Sequence, residues 1–300
     1  MNAGLWYGAA AYAFWGLVPI YWKLLADVPA IEVLGHRIVW SFVALALVIV
    51  VSRRQAITTL RVVNRGVVGQ YALAGLLIAI NWLIYIWAVN AGFIVETSLG
   101  YFIAPLVNVL LGVLVFRERL RAPQWAAVAL AAAGVLYLTV TYGSLPWIAL
   151  GLASSFGCYG LVKKKAPLGS LEGLTLETAI LILPAALYLA LLQGTGEGSF
   201  VRARVATDLL LIGGGVITIG PLLMFASAVQ RIPLSVIGIL QFIAPTIQFF
   251  LGILVYSEPF TRAQLFGFIA VWGALIVFSV DGLLSRREER TVAVVDEGAV

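Results

Sequence analysis

Charged residues are scarce in this chain: they make up 11% of its 300 residues, whereas a soluble domain has about a quarter. Histidine and cysteine occur once each, as His36 and Cys158. A single cysteine excludes an intramolecular disulfide and a metal site built from several cysteines. The sequence also lacks a His-Glu-x-x-His motif, a Walker A motif and a nucleophile elbow. These absences argue against an enzyme, a metal-binding protein and direct coupling to ATP.

Apolar sequence is what the chain has in abundance, since 62% of its residues are hydrophobic and its mean hydropathy is +1.03. A membrane-spanning helix needs about 20 apolar residues. Ten segments reach that length, so we predict an all-α integral membrane protein with ten transmembrane helices and no soluble domain. The predicted spans are residues 4–25, 31–51, 67–90, 94–116, 123–142, 145–162, 174–193, 207–229, 233–256 and 262–284.

Lysine and arginine predict the orientation, because cytoplasmic loops carry an excess of both. With ten spans the two termini lie on one side, and 14 of the 19 basic residues fall on that side. We therefore predict an inner-membrane protein with both termini in the cytoplasm. The most basic connection, residues 52–66, is expected to contact anionic lipid. Because the net charge of +5 comes from such loops, it does not indicate nucleic-acid binding.

One stretch of the chain occurs twice, 140 residues apart. Residues 101–120 read YFIAPLVNVLLGVLVFRERL, and residues 241–260 read QFIAPTIQFFLGILVYSEPF. We predict two fused five-helix repeats, residues 1–143 and 144–284, followed by a disordered cytoplasmic tail, residues 285–300. Five is an odd number, so the second repeat must be inverted relative to the first. Inverted repeats are a common transporter architecture.

Each copy of the repeated stretch carries a proline near the centre of its apolar run, within a polar helix face. Three residues in each copy fall at steps of four and three, which places them on one face. They are Tyr101, Pro105 and Asn108 in the first copy and Gln241, Pro245 and Gln248 in the second. An interior proline removes a backbone hydrogen bond, so we predict that both prolines are hinges in a solute pathway. For any single residue, helix packing is the simpler interpretation.

The second predicted span contains an arginine about two turns from its outer end. Arg37 follows His36 and precedes Trp40, and ionisable groups inside a span usually face a wet cavity or a partner. We predict that all three belong to the pathway. For Arg37, and more strongly for Lys23, the alternative is that the side chain only snorkels to the outer headgroups or closes the mouth of the pathway in an ion pair. Span 3 adds two pathway candidates on one face, Asn81 and Tyr85.

These features resemble a known family. Two five-span units, each with a mid-helix proline, a terminal glutamate and then a glutamine, resemble the EamA-type repeat of the drug/metabolite transporter superfamily. The segments that resemble the RarD-type permeases of this family include His36-Arg37-Ile-Val-Trp40-Ser41, Asn81-Trp82, Ser98-Leu-Gly-Tyr101-Phe102 and Gln241 with Pro245. The resemblance covers residues 4–284 and implies a ten-helix carrier for small solutes with a central pocket. It does not imply the natural substrate.

We therefore predict a secondary transporter that moves a small metabolite or drug-like solute by alternating access, with no cofactor and no metal. A membrane scaffold or subunit that transports nothing is the alternative, and an intramembrane enzyme is less favoured. The expected partners are the solute and membrane lipids. The alanine-rich fifth span, residues 123–142, would also suit a homodimer. The direction of transport and the coupling ion are left open.

Overall fold

The computed structural model describes residues 3–51, 64–117, 120–164, 166–229, 231–232 and 240–297. The described residues form helices and the turns between them, without a strand. The helices are α1 (Ala3–Lys23), α2 (Ala30–Val51), α3 (Arg65–Ala91), α4 (Ile94–Phe116), α5 (Ala122–Tyr142), α6 (Trp147–Lys164), α7 (Ser170–Thr195), α8 (Val205–Val229), α9 (Ile243–Phe250) with a π-helical continuation (Leu251–Val255), and α10 (Arg262–Glu297).

Seven of these helices are long and apolar enough to cross a membrane: α2, α3, α4, α5, α7, α8 and α10. The chain is therefore an all-α, multi-pass membrane protein. Helices α1 and α6 coincide with the predicted spans 4–25 and 145–162, but their composition is less apolar. Helix α1 is rich in tryptophan, tyrosine and glycine, and α6 ends in two lysines. That ten helices cross the membrane stays a prediction.

Helix ends are set by local chemistry that the sequence shows. The Asn64 side chain caps the start of α3 by accepting a hydrogen bond from the Val67 N–H at 3.0 Å. Gly92 and Gly196 end α3 and α7 with φ angles of 86° and 84°. Only glycine adopts this left-handed conformation without cost, which explains a glycine at both helix ends.

The two predicted repeats are interleaved in the packing. The principal helix pairs are α5–α10, α4–α6, α2–α8, α1–α8, α2–α7, α3–α6, α1–α9, α4–α9 and α3–α7. Each pair joins a helix from residues 1–143 to one from residues 144–284. If each helix in a pair is replaced by the helix five positions earlier or later in the chain, the result is either the same pair or another pair of this set. For example, α4–α6 becomes α1–α9.

The two copies of the repeated stretch differ in structure. Pro105 is the twelfth of the 23 residues of α4, as the prediction of an interior proline requires. Pro245 is only the third residue of α9, after a turn at residues 241–242. In a first turn the backbone N–H has no partner within the helix, so proline there removes no bond. The prediction of an interior proline therefore fits Pro105 and not Pro245. Of the predicted span 233–256, residues 233–239 lie outside the described residues.

The last helix is longer than the predicted span. Its backbone is helical to Glu297, whereas the prediction placed the span end at residue 284 and a disordered tail after it. Residues 285–297 contain arginine and glutamate, which favour helix over coil. Side chains of this helix are described as far as Asp281, and residues 298–300 lie outside the description.

Two apolar clusters form most of the interior. One joins α4, α5 and α10 with α9 and contains a group of edge-to-face and tilted aromatic rings, among them Phe249, Phe268 and Trp272, with centroids 5.0 to 5.8 Å apart. The other lies between α1, α2, α3, α6 and α8, around Trp22, Tyr85 and Ile86. The second cluster surrounds the charged group described next.

Candidate functional site

Arg37 is the eighth residue of α2, about 10 Å along the helix axis from its first residue. Its guanidinium carbon lies 3.9 Å from the ring centroid of Trp82 on α3 and 5.1 Å from that of Trp22 on α1. The Nε–H donates a hydrogen bond to the Thr218 hydroxyl of α8 at 3.0 Å. These contacts hold the side chain among α1, α3 and α8.

No carboxylate of the described residues forms an ion pair with Arg37. The side chain lies deep in the bundle, and the residue as a whole is half-buried. A cation in this setting is costly unless a partner offsets its lost hydration. The two tryptophan faces offset part of that cost, because a desolvated cation–π contact contributes about 2 kcal/mol. The remaining donors of Arg37 are available to an anion.

Two tyrosines complete the surroundings of Arg37. Tyr85 and Tyr101 lie close enough for electrostatic interaction with the guanidinium, and their rings are 5.7 Å apart in an edge-to-face arrangement. The Tyr85 hydroxyl is buried and has no hydrogen-bond partner among the described residues. A buried hydroxyl normally has a partner. A bound acceptor group would supply one and would pair with Arg37 at the same time.

The structure thus brings together Arg37, Tyr85 and Tyr101, three of the predicted pathway residues, and adds three that we missed. Trp22, Trp82 and Thr218 come from helices α1, α3 and α8. Trp82 belongs to the Asn81-Trp82 segment that resembles the family, but the prediction assigned the pathway role to its polar neighbour Asn81. No pattern in the sequence indicates Thr218, because its contact with Arg37 spans 181 residues.

Other predicted pathway residues lie elsewhere and contact neighbouring helices or loops. His36 is buried with its ring 4.8 Å from that of Phe200, in the connection between α7 and α8. Asn81 donates two hydrogen bonds of 3.0 Å to α6, to the Leu152 carbonyl and the Ser155 hydroxyl. These contacts suit helix packing, and a pathway role for His36 and Asn81 stays a prediction.

The polar residues of the repeated stretch are also separated. Gln248 is buried and donates to the Trp15 carbonyl of α1 at 3.2 Å. Asn108 is exposed and lies beside Gly157 and Gly160 of α6. Gln241 is half-buried in the turn before α9. Of the two predicted polar faces, Gln248 therefore contacts α1 and Asn108 lies against α6.

Trp40 lies where α2 and α8 approach most closely. Gly215 of α8 packs directly on the Trp40 backbone, which leaves no space for a side chain at that position. The Trp40 indole N–H is buried and has no partner in the described part of the chain. Trp40 therefore remains a pathway candidate one turn beyond Arg37.

Two carboxylates that the prediction passed over tie the helix ends on the predicted outer side. Glu258 accepts hydrogen bonds of 2.8 Å from the Ile94 and Val95 N–H groups at the start of α4. Burial raises the pKa of Glu258 above its ordinary value, while the two N–H groups and the nearby Lys23 act in the opposite direction. Glu32 accepts from the N–H groups of Ser199 at 2.7 Å and Phe200 at 3.3 Å. Both carboxylates fix connections between helices, and neither forms an ion pair with Arg37.

Lys23 also belongs to this outer end. Its ammonium donates to the Asn90 carbonyl at 3.4 Å and lies 5.4 Å from the ring centroid of Tyr256. A cavity of about 360 Å³ lies near the same end, between Trp87, Trp147 and Glu258. No residue that contacts Arg37 lines this cavity. Among the described side chains, no group of His, Cys, Asp or Glu could hold a metal ion.

Comparison with known proteins shows the family to which the chain belongs. A sequence model of the EamA-like transporter family matches residues 2–140. Protein RarD from Streptomyces exfoliatus is 46% identical over 289 residues, which are 96% of this chain and 92% of that protein. The chain belongs to the EamA family, as a RarD-type permease.

Further similarities of this EamA protein support the same assignment. The uncharacterized transporter YojE from Bacillus subtilis (strain 168) is 46% identical over 293 residues, covering 96% of this chain and 97% of the relative. A crystal structure of a protein with 18% identity aligns with a TM-score of 0.59, covering 95% of this chain and 98% of that one, which shows a shared fold. The family and the names of its members indicate a membrane transporter and not an enzyme.

The contacts of Asn81 predict a role in stability. Asn81→Ala should lower the free energy of unfolding by about 1–2 kcal/mol, because interhelical hydrogen bonds in membranes contribute about 0.6 and at most about 1.7 kcal/mol each. Thermal unfolding in detergent measures this. The transport rate per folded protein should stay unchanged.

Ser155→Ala is the matched control, because it keeps the bond from Asn81 to the Leu152 carbonyl. It should show a smaller loss of stability. If Asn81→Ala slowed transport without lowering stability, Asn81 would belong to the pathway, as the sequence predicted.

Proposed function

We propose that this EamA protein is a secondary transporter that moves a small solute with an anionic or zwitterionic group and an aromatic or flat apolar part. The observation that carries the proposal is the arginine inside the bundle, held on two tryptophan faces with no carboxylate paired to it among the described residues. A guanidinium binds a carboxylate or phosphate through a planar fork of donors. The aromatic residues around it suit a flat apolar group.

The proposed architecture is ten transmembrane helices in two inverted five-helix repeats. The interleaved packing supports it, because exchanging the halves reproduces the set of helix pairs. Such a pair of halves can rock about a central site, which is how inverted-repeat carriers alternate access. The solute would bind between α1, α2, α3, α4 and α8, from which the residues around Arg37 come.

The alternative is a membrane scaffold that transports nothing. A scaffold has no need of a costly unpaired cation in its interior, so Arg37 favours the transporter. The experiment that separates the two is reconstitution of the purified protein in liposomes with a metabolite mixture. Mass spectrometry then follows which compounds cross, with empty liposomes for comparison.

Arg37→Gln should slow transport of the compounds found in that assay by roughly 10- to 100-fold, because a hydrogen bond to a charged group contributes about 1.5–3 kcal/mol. Arg37→Lys keeps the charge without the planar fork and should restore only part of the rate. The measurement is the initial rate per folded protein in liposomes.

Arg204→Gln is the matched control, since Arg204 is exposed in the connection between α7 and α8. It should transport at the wild-type rate. A wild-type rate in Arg37→Gln would remove Arg37 from the pathway.

We also propose that the protein lies in the inner membrane with both termini in the cytoplasm. The basic connection that predicts this orientation falls largely on residues 52–63, which lie outside the described residues. A cysteine at position 57, in a background without Cys158, should react with an impermeant maleimide only from the cytoplasmic side. Reaction in right-side-out vesicles would reverse the assignment.

Pro105 is proposed to let α4 bend during alternating access. Pro105→Ala restores a backbone hydrogen bond in the middle of the helix, where proline is disfavoured by ~3 kcal/mol in water. We expect normal or raised abundance and a several-fold slower transport rate per folded protein.

Pro245→Ala serves as the comparison, because Pro245 lies in the first turn of α9 and removes no helical bond there. Its effect should be much smaller than that of Pro105→Ala, although the sequence pattern predicts a hinge at both prolines. Equal transport by wild type and Pro105→Ala would show that the proline is a packing feature.

A further inference from the structure

Arg37 has a counterpart of opposite charge in the second half of the chain. The spacing of 140 residues that relates the repeated stretches also relates α2 to α7: Glu32 corresponds to Glu172, Leu34 to Leu174, and Arg37 to Glu177. Arg37 is the eighth residue of α2, which begins at Ala30, and Glu177 is the eighth residue of α7, which begins at Ser170. In an inverted repeat these two positions lie at the same depth from opposite faces of the membrane.

Glu177 is fully buried, and its two oxygens are bound by α6. Lys163 donates to Oε1 at 2.7 Å, and the Tyr159 hydroxyl donates to Oε2 at 3.2 Å. The Lys163 ammonium also lies 4.8 Å from the ring centroid of Tyr71 and 5.9 Å from that of Tyr159. A cation on aromatic rings is the same arrangement as at Arg37, but here a carboxylate of the protein completes it.

A series of aromatic rings connects the two charged positions. Tyr101, near Arg37, lies 6.4 Å from Phe156, and Phe156 lies 6.2 Å from Tyr159, which contacts Lys163. Phe156, Tyr159 and Lys163 are spaced by three and four, so they share one face of α6. Phe156 is 40% exposed although it packs against the interior residue Tyr101, so this face of α6 is only partly covered by neighbouring helices. We call these rings the aromatic track.

The geometry points to Lys163 as a second, inner binding position for the anionic group of the solute, which Glu177 occupies whenever the inner end of the pathway is closed. This inference rests on the proposed function of a carrier for solutes with an anionic group. Glu177 stands in for the solute's carboxylate: it is bound by one cation and one hydroxyl, as an incoming carboxylate would be.

The carboxylate of the solute and the carboxylate of Glu177 compete for the Lys163 ammonium. This competition couples solute binding to opening of the inner end of the pathway. While Glu177 holds Lys163, helices α6 and α7 are joined at the inner end. The turn between them is held as well, because the Tyr71 hydroxyl accepts from the Leu168 N–H at 3.0 Å and donates to the Leu168 carbonyl at 3.3 Å. A solute carboxylate that reaches Lys163 along the aromatic track displaces Glu177 and removes the link between α6 and α7.

The test needs no knowledge of the natural solute. Gly160 lies on the track face of α6, where an added Cβ would lie 3.8 Å from the nearest atom, an ordinary contact. Gly160→Cys in a Cys158→Ser background therefore provides a reactive thiol between the two charged positions. An impermeant maleimide is applied to inside-out and to right-side-out vesicles, and the labelling rate is measured in each.

Adding Glu177→Gln to this background should raise labelling in inside-out vesicles by about tenfold, because loss of the ion pair shifts the population toward the inner-open form. The double variant Lys163→Gln with Glu177→Gln leaves no unpaired buried charge and should show the same increase, so the test survives if the single variant folds poorly. Glu197→Gln, an exposed carboxylate at the far end of α7, is the matched control and should change nothing. Unchanged labelling in both Glu177 variants would overturn the inference.

Acetate and acetamide test the anion-binding part. Acetate should accelerate labelling in inside-out vesicles of the Gly160→Cys protein with Lys163 and Glu177 intact, whereas acetamide, which has the same shape without charge, should not. Acetate should have no effect on the double variant. If acetate and acetamide act alike on the protein with the intact pair, Lys163 is not an anion-binding position.

Failure of this inference is distinguishable from failure of the proposed function. Labelling of the thiol requires no transport, whereas the role of Arg37 is tested by the transport rate. Arg37→Gln combined with Gly160→Cys should retain the acetate effect, because Lys163 is intact. If Arg37→Gln transported at the wild-type rate and still responded to acetate, the proposed role of Arg37 would be wrong, whereas anion binding at Lys163 would be supported.

Discussion

The free-energy cost of a cation inside a membrane-spanning bundle is the constraint on which this structure depends. Arg37 meets it only in part, through the faces of Trp22 and Trp82 and the hydroxyl of Thr218. These residues come from three helices, so the packing of α1, α3 and α8 around α2 is also the coordination of one guanidinium. Lys163 is partly buried and has a carboxylate partner, Glu177. Among the described residues, Arg37 has no such partner.

Carboxylates at helix ends hold the helices around Arg37 together. Glu258 lies near the end of the second copy of the repeated stretch, yet it binds the first two N–H groups of α4, which carries most of the first copy. A carboxylate is favourable there because free N–H groups and the helix dipole both attract negative charge. The glutamate that ends the repeated stretch therefore links the two halves. Its counterpart Glu118 lies outside the described residues.

Much of the helical frame could be predicted from apolar run length. Helix α4 has the predicted bounds, 94–116, and the other helices begin or end within a few residues of theirs, apart from α9 and the end of α10. The location of Arg37 inside the helix bundle could be predicted, because an arginine within a long apolar run is unusual. Residues with distant partners could not be assigned in the same way: Asn81 and Gln248 have polar side chains on suitable faces, but their hydrogen bonds cross 71 and 233 residues. The position of Pro245 in the first turn of α9 could not be predicted, because an apolar run does not show where a turn interrupts the helix.

The interleaving of the halves has a consequence for how the protein is made. The principal packing partners of α1 to α5 lie in the part of the chain that is synthesised later. While the ribosome adds helices one by one, those of the first half that cross the membrane wait there with their future contact faces turned toward acyl chains or toward one another. Arg37 waits with them, before Thr218 exists to accept its hydrogen bond. Assembly therefore comes late and nearly all at once, and two halves expressed as separate polypeptides would each be incomplete until they met in the membrane.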